Sequence, residues 1–318
     1  MLIFAGNKLD MKIVLTGSLG NVGRPLTRKL VARNHSVTVI SSNPERSQEI
    51  ASLGAGAAIG SIHDVEFLTQ AFKGADIVYL MEAVDLRNFF EPTFDITKTY
   101  TEIASNYRQA IEASKVKKAV HLSSIGAHTN EGVGILAMHF YAEQMLRLLP
   151  DDVSVKFIRP VGFYTNLYRS MHMLINNGAF IFNHGGDQKE PWVSPLDIAD
   201  VIAEEMEKPF DGKTFRYVAS DEISPNEIAA ILGNAIGKPG LKWLVVSDEE
   251  FLNGMLAAGM NEDIAKGFTQ MHIAQGDGSM YEHYYSNRPE PGKVKFIDFA
   301  KEFAAVYRSQ ISANLQSA

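Results

Sequence analysis

The stretch Lys12-Ile-Val-Leu-Thr-Gly-Ser-Leu-Gly-Asn-Val-Gly23 decides how the rest of this 318-residue chain is read. Ile13, Val14 and Leu15 form a short continuous apolar run, the pattern of a strand buried in a parallel sheet. Val22, Leu26 and Leu30 then recur every four residues, as one face of a helix does. Gly17, Gly20 and Gly23 stand between them at three-residue spacing. In that strand–turn–helix setting the glycines predict a phosphate cradle. Glycine permits the tight turn, close approach of backbone to a pyrophosphate and close packing of helix on strand, while the helix N-terminus offers free N–H groups to the anion. Ser18, Leu19, Asn21 and Val22 complete the turn. The expected ligand is a dinucleotide, and the alternative is a turn that is only structural.

Outward from the turn, short apolar runs alternate with helical patterns from Met11 to Arg159. Strands are expected at 36–41, 57–61, 75–81, 118–123 and 153–158, with Asp64 capping one helix and Tyr100, Ile103, Tyr107 and Ile111 striping another. A helix is expected over 135–149. This alternation predicts an α/β fold, a Rossmann-type doubly wound parallel sheet over residues 11–159. Residues 160–318 are expected to form a smaller, mostly C-terminal α/β substrate lobe interleaved with late sheet strands. There, helices are expected over 195–208, from the capping box Ser224-Pro-Asn-Glu227, over 248–259 and 261–274, and over 296–311, with a strand at 214–218. Residues 1–10 read as an extension, because Met11 stands where such a chain naturally begins.

Composition narrows the field. Thirty basic against thirty-seven acidic residues gives a net charge of −7, and no basic cluster offers a nucleic-acid footprint. Cysteine is absent, which excludes thiolate chemistry and disulfides. The histidines show no metal-ligand spacing, no apolar run is long enough to span a bilayer, and the start lacks the pattern of a signal peptide. A cytoplasmic protein with no metal, nucleic-acid or membrane partner is expected.

The second strand tells which dinucleotide to expect. NAD-binding chains place a carboxylate near its tip to accept from the ribose 2′-OH. Here Ser41, Ser42 and Asn43 stand there, followed by Pro44-Glu-Arg46. Without that acid there is room for a 2′-phosphate, which Arg46 or Arg24 would pair. NADP is expected, with NAD the alternative if Glu45 takes the ribose.

Four further segments carry a resemblance: His139-Phe-Tyr-Ala-Glu-Gln-Met-Leu146, Ile158-Arg-Pro-Val-Gly-Phe-Tyr-Thr-Asn166, Val193-Ser-Pro-Leu-Asp-Ile-Ala199 and Ala219-Ser-Asp-Glu-Ile-Ser-Pro-Asn-Glu-Ile228. With the glycine turn, they resemble the NmrA-like family of atypical short-chain dehydrogenases, from about Met11 to about Tyr307. The resemblance implies a cofactor layout. The turn holds the pyrophosphate, Ser41, Ser42 and Asn43 meet the adenosine ribose, and Ser61 and Ile62 flank adenine. Met81, Glu82 and Ala83 line the inner ribose. Ser123 and Ser124 reach toward the nicotinamide, and Pro160, Val161, Gly162 and Phe163 cover its face.

The same comparison exposes a departure. Wider relatives use a tyrosine proton donor and a lysine four residues later that lowers its pKa. If Glu143 is the glutamate that follows that lysine by four, the lysine position holds His139 and the tyrosine position holds Ile135. His139 and Tyr164 are the candidate catalytic residues, and Tyr141 is a weaker one. An aromatic and Met-rich set (Phe163, Tyr164, Tyr168, Met171, Met173, Phe180 and Phe182) either frames a slot for a flat ring or fills the lobe's core. Two functions are expected. One is an NAD(P)H-dependent reductase of a quinone-like or other electron-poor small acceptor. The other is a non-enzymatic redox sensor that binds a protein partner.

Overall fold

The protein is described from a computed structural model that covers residues 10–317, with side chains to 312. The expected extension at 1–10 lies, apart from Asp10, outside the described residues. The first half runs β1 (Lys12–Leu15), α1 (Gly23–Ala32), β2 (Ser36–Ser41), α2 (Arg46–Ser52), β3 (Gly56–Ile59), α3 (Val65–Phe72) and β4 (Ile77–Leu80). It continues with α4 (Ile96–Ser114), β5 (Lys118–Leu122), α5 (Ala137–Arg147) and β6 (Ser154–Pro160). Beyond lie β7 (Gly162–Phe163), α6 (Met171–Asn177), β8 (Ala179–Phe182), β9 (Glu190–Val193), α7 (Pro195–Glu207), β10 (Lys213–Val218) and β11 (Asp221–Ile223). The chain closes with α8 (Pro225–Ala235), β12 (Lys242–Val245), α9 (Asp248–Ala257), α10 (Glu262–Gly276), α11 (Glu282–Ser286) and α12 (Phe296–Ser317).

Seven strands form one parallel sheet in the order β10-β6-β5-β4-β1-β2-β3. The period-two alternation of strand side chains feeds two separate cores. Ile13, Leu15, Ile77 and Tyr79 join Leu26 and Leu30 of α1 and Ile198 and Ile202 of α7 on one face. Val14, Val78 and Leu80 join Leu68 of α3, Ile103 and Tyr107 of α4 and Leu146 of α5 on the other. Burial on both faces explains why these strands are continuously apolar. The chain reverses its winding direction between β1 and β4, so a crevice opens at their carboxyl ends, where ligands of such sheets bind. The main sheet takes its seventh strand, β10, from beyond residue 160, paired along β6.

The remaining strands make a three-stranded sheet, β11-β9-β7, and a parallel pair, β12-β8. They pack around a third core that holds Tyr164, Leu167, Met171, Phe180, Trp192, Trp243, Phe296 and Phe303. The aromatic and Met-rich set of this lobe is therefore mostly its own core, which decides between the two expectations for it. The helix expected over 135–149 begins instead with a 3-10 turn, Gly134–Leu136, ahead of α5. Among the described residues no helix is long and apolar enough to cross a membrane.

Candidate functional site

Each of the three turn glycines meets a different demand. Gly17 has φ +83°, and a Cβ there would strike the Met81 side chain. A Cβ on Gly23 would strike the carbonyl of Ser18, which itself has φ 55°. The protein's own sterics thus require the first and third glycines. Gly20 has no such reason, since a Cβ there would meet only the Gly17 carbonyl oxygen, 3.8 Å away. What the middle glycine leaves clear is approach to the backbone from outside. No side chain caps α1; Arg24 N donates to Gly20 O at 3.1 Å and Pro25 carries no N–H, which leaves the Gly23 N–H at the helix start to meet an anion. Hydrogen bonds moor the turn to both neighbours: Ser18 N to Ile40 O at 3.1 Å, and Met81 N to Thr16 Oγ1 at 2.9 Å.

At the tip of β2, Ser41 is buried, and its hydroxyl accepts from Ser18 Oγ at 3.0 Å and from Asn43 N at 3.2 Å. Ser42 and Asn43 are exposed, and Asn43 Oδ1 accepts from Glu45 N at 2.9 Å. Arg24 and Arg46, the two expected phosphate partners, converge here, and both pair with Glu49. Past β3, a Cβ on Gly60 would enter the Phe67 ring, so the chain turns tightly into Ser61 and half-buried Ile62. Asn106 Nδ2 holds the Ile62 carbonyl at 3.3 Å.

At the carboxyl end of β4, the side chains of Met81 and Glu82 part. Met81 lies half-buried under the glycine turn, its carbonyl accepting from Tyr107 Oη at 2.6 Å, and Ala83 is exposed. Glu82 was expected at the inner ribose, but its carboxylate turns into the core and meets His121 Nε2 at 2.9 and 3.0 Å. Both side chains of that pair are essentially solvent-free. His139, one turn into α5, sits edge-on to Tyr100 with ring centroids 5.1 Å apart. Burial pushes its pKa down to about 4, against the opposing charge of Glu82, and its Nδ1 is buried without a partner. The ring is therefore neutral near pH 7. Ile135 is buried where the 3-10 turn backs onto α10. A Cβ on Gly267 would come within 3.1 Å of Ile135 Cβ, and one on Gly134 (φ +56°) would strike the Gly267 carbonyl.

Sequence reasoning missed a buried network. Ser123 was expected to reach the nicotinamide, yet its hydroxyl donates to Glu143 Oε1 at 2.6 Å. Arg159 grips the same carboxylate in bidentate fashion, Nε to Oε1 at 2.8 Å and Nη2 to Oε2 at 2.7 Å. Arg159 also lies over the Phe215 ring, 4.6 Å from its centroid. The only signal in the sequence was the Arg159-Pro160 pair, read as a boundary. Ser124 is half-buried beside this network. Pro160 and Val161 are buried, while Gly162 and Phe163 form the strand β7, with Gly162 against Trp192. Tyr164 is corrected. It is 1% exposed, its hydroxyl donates to the Val294 carbonyl at 3.2 Å, and its ring packs on Phe296 and Phe299, so it serves the lobe's core. Tyr141 is exposed, bonded to Asn130 at 3.2 Å. Asn21 and Thr165 link the glycine turn to the lobe at 3.4 Å.

Residues 17–209 match the family model described as NAD(P)H-binding. The chain belongs to the NAD(P)H-binding family. Its fold is that of the NADPH-dependent quinone oxidoreductase QOR2 from Escherichia coli, with a TM-score of 0.74 at 19% identity over 92% of this chain and 99% of that one. The Citrobacter sp. triphenylmethane reductase complexed with NADP(H) gives 0.70 at 20% identity, covering 92% and 99%. NmrA, a negative transcriptional regulator in complex with NADP, gives 0.68 at 14%, covering 96% and 98%, so the expected NmrA-like resemblance is met in fold. In sequence, the uncharacterized protein C2A9.02 of Schizosaccharomyces pombe is 23% identical over 76% of this chain and 84% of its own length.

The geometry of this NAD(P)H-binding chain fits such a cofactor on its own terms. An uncapped helix, a middle glycine with no internal reason, and two arginines beside a strand tip whose own residues 41–43 carry no acid lie in one crevice.

Proposed function

We propose that the protein is an NAD(P)H-dependent reductase of small electron-poor acceptors of the quinone type, with NADPH the preferred donor. The observation that carries this reading is the surroundings of Ile135 and His139, the two positions where the resemblance would put a tyrosine and a lysine. Ile135 is buried under α10, and His139 is held neutral by burial, so neither supplies the strong acid that reduction of an ordinary carbonyl needs. When bound, the reduced cofactor supplies a hydride. The chain's residues bind and orient, and the proton for the reduced acceptor comes from water, because a hydroquinone anion needs no buried acid. His139 contributes a neutral hydrogen-bonding ring beside Tyr100. On this reading Met81, under the glycine turn, and Gly162 and Phe163 of β7 flank the inner end of the crevice.

Two kinds of support stand beside this. QOR2 is an NADPH-dependent quinone oxidoreductase, and a Stigmatella aurantiaca ketoreductase acting on a dihydroquinoline oxide is 27% identical over 117 residues, about a third of either chain. The preference for NADPH rests on Arg24 and Arg46 at the tip of β2. A cytoplasmic location, where NADPH is supplied, follows from the same reading. The test measures NADPH and NADH oxidation by the purified protein against quinones, triphenylmethane dyes, and azo and nitro compounds. Turnover with a quinone supports the proposal. Tight NADPH binding without turnover of any acceptor overturns it and leaves the sensor of a protein partner.

A further inference from the structure

Glu49 holds both arginines on which the NADPH preference rests. It stands in the first turn of α2 and accepts from Arg46 Nη1 at 2.5 Å and from Arg24 Nη2. Arg24 is the second residue of α1 and Arg46 the first of α2, so guanidinium groups from two helices converge on Glu49 close to the tip of β2. All three side chains remain partly open to solvent, at 34% for Arg24 and Glu49 and 43% for Arg46. The arginines hold the Glu49 carboxyl below its usual range. Among the described residues no other carboxylate pairs with these two groups, and the hydroxyl of Ser41 is already engaged with Ser18 and Asn43.

We propose that Glu49 sets the dinucleotide preference of this chain, as an internal anion that occupies the arginines of the 2′-phosphate subsite and competes with that phosphate for them. The inference rests on reading the crevice as an NAD(P)H site. A phosphate monoester carries about −1.5 to −2 charges and three acceptor oxygens, against one charge and two oxygens for a carboxylate. It therefore wins the guanidinium groups, which pair bidentately with either anion. The displaced Glu49 stays within reach on a short helix, however, and its like charge opposes the phosphate. NADH has a ribose 2′-OH there and meets neither effect. Glu49 thus narrows the preference for NADPH over NADH that the two arginines alone would produce.

The experiment compares wild type and Glu49→Gln by calorimetric titration with NADPH, NADH and the fragments 2′-AMP and 5′-AMP, with circular dichroism as a check on folding. Glutamine keeps the size and one acceptor oxygen and removes the charge. The expected result is tightening of NADPH and 2′-AMP by roughly three- to tenfold, the scale of half-exposed charge interactions, with NADH and 5′-AMP unchanged. Unchanged or weaker NADPH binding overturns the proposal, because Glu49 then serves to hold the arginines in place. Weaker NADH binding also overturns it and assigns Glu49 to the ribose hydroxyls. Wild-type protein that binds NADH and not NADPH instead overturns the NADPH preference itself, and a titration blank with both overturns the site.

Discussion

Replacing Arg159 by methionine tests whether the crevice wall depends on one buried ion pair. Glu143 is 0% exposed and Arg159 is 4% exposed, and their two short hydrogen bonds, at 2.8 and 2.7 Å, account for both carboxylate oxygens. Without the guanidinium, the carboxylate keeps the Ser123 hydroxyl at 2.6 Å and a long contact to Arg147 at 3.4 Å. Methionine restores much of the apolar contact with Phe215 but no charge. Removing one member of a buried pair costs about 3–5 kcal/mol, a large share of the roughly 5–15 kcal/mol that holds a domain folded. Removing the charge of Glu143 as well relieves most of that cost, since no ion is then left in the core. Urea unfolding of wild type, Arg159→Met, Glu143→Gln and the double variant forms a complete cycle. The expected coupling is about 2 kcal/mol or more, with the double variant more stable than Arg159→Met. Additive losses, or a cost below about 1 kcal/mol for Arg159→Met, would refute the reasoning.

Three further outcomes follow from the geometry. Gly17→Ala, at φ +83° and against Met81, should weaken NADPH binding at least tenfold by fluorescence titration while the circular dichroism spectrum is retained; unchanged affinity would contradict the role of the turn. Glu190 is buried and its pKa is pushed up to about 8 from 4.5, so the stability it contributes is full below 4.5 and is lost as pH rises toward 8. That loss has a limiting slope of about 1.4 kcal/mol per pH unit, and Glu190→Gln should flatten it in melts taken across that range. His139, with its pKa pushed down to about 4, should show no titration of its ring by NMR above about pH 5, and His139→Ala should change turnover without shifting the pH profile near neutrality.

The fold was legible where local pattern and tertiary role coincide. Val22, Leu26 and Leu30 are the buried face of α1, and the run 36–41 is the strand β2 to the residue, because both faces of this sheet are covered and apolar runs suffice to mark its strands. Asp64 caps α3 through Phe67 N at 3.0 Å, and Ser224 and Glu227 close the expected capping box. The strands β7, β8, β9, β11 and β12 were not legible. They run two to four residues each and lie outside the regular alternation of strand and helix that marks the main sheet, as when Gly162 pairs with Trp192.

The site divides in the same way. Backbone-determined parts, the glycine turn and the acid-free strand tip, could be read from spacing. Side-chain directions could not. Glu82 and Ser123 stand where expected in the chain, yet each points into a buried network whose other member, His121 or Glu143, lies far away in sequence. Tyr164 follows directly on a segment at the crevice, but its ring belongs to the next core.

The close seating of α10 on the turn before α5 bears on how this chain can change. Gly134 and Gly267 let two backbones touch, and Ile135 fits the little space left between them. A tyrosine placed at 135 would have no room for its ring until α10 itself moved, and α10 also packs into both cores of the main sheet. The residue at 135 is thus held small by the packing of two backbones. A larger side chain there needs compensating changes on both segments at once, so engineering of this scaffold finds less freedom at 135 than elsewhere around the crevice.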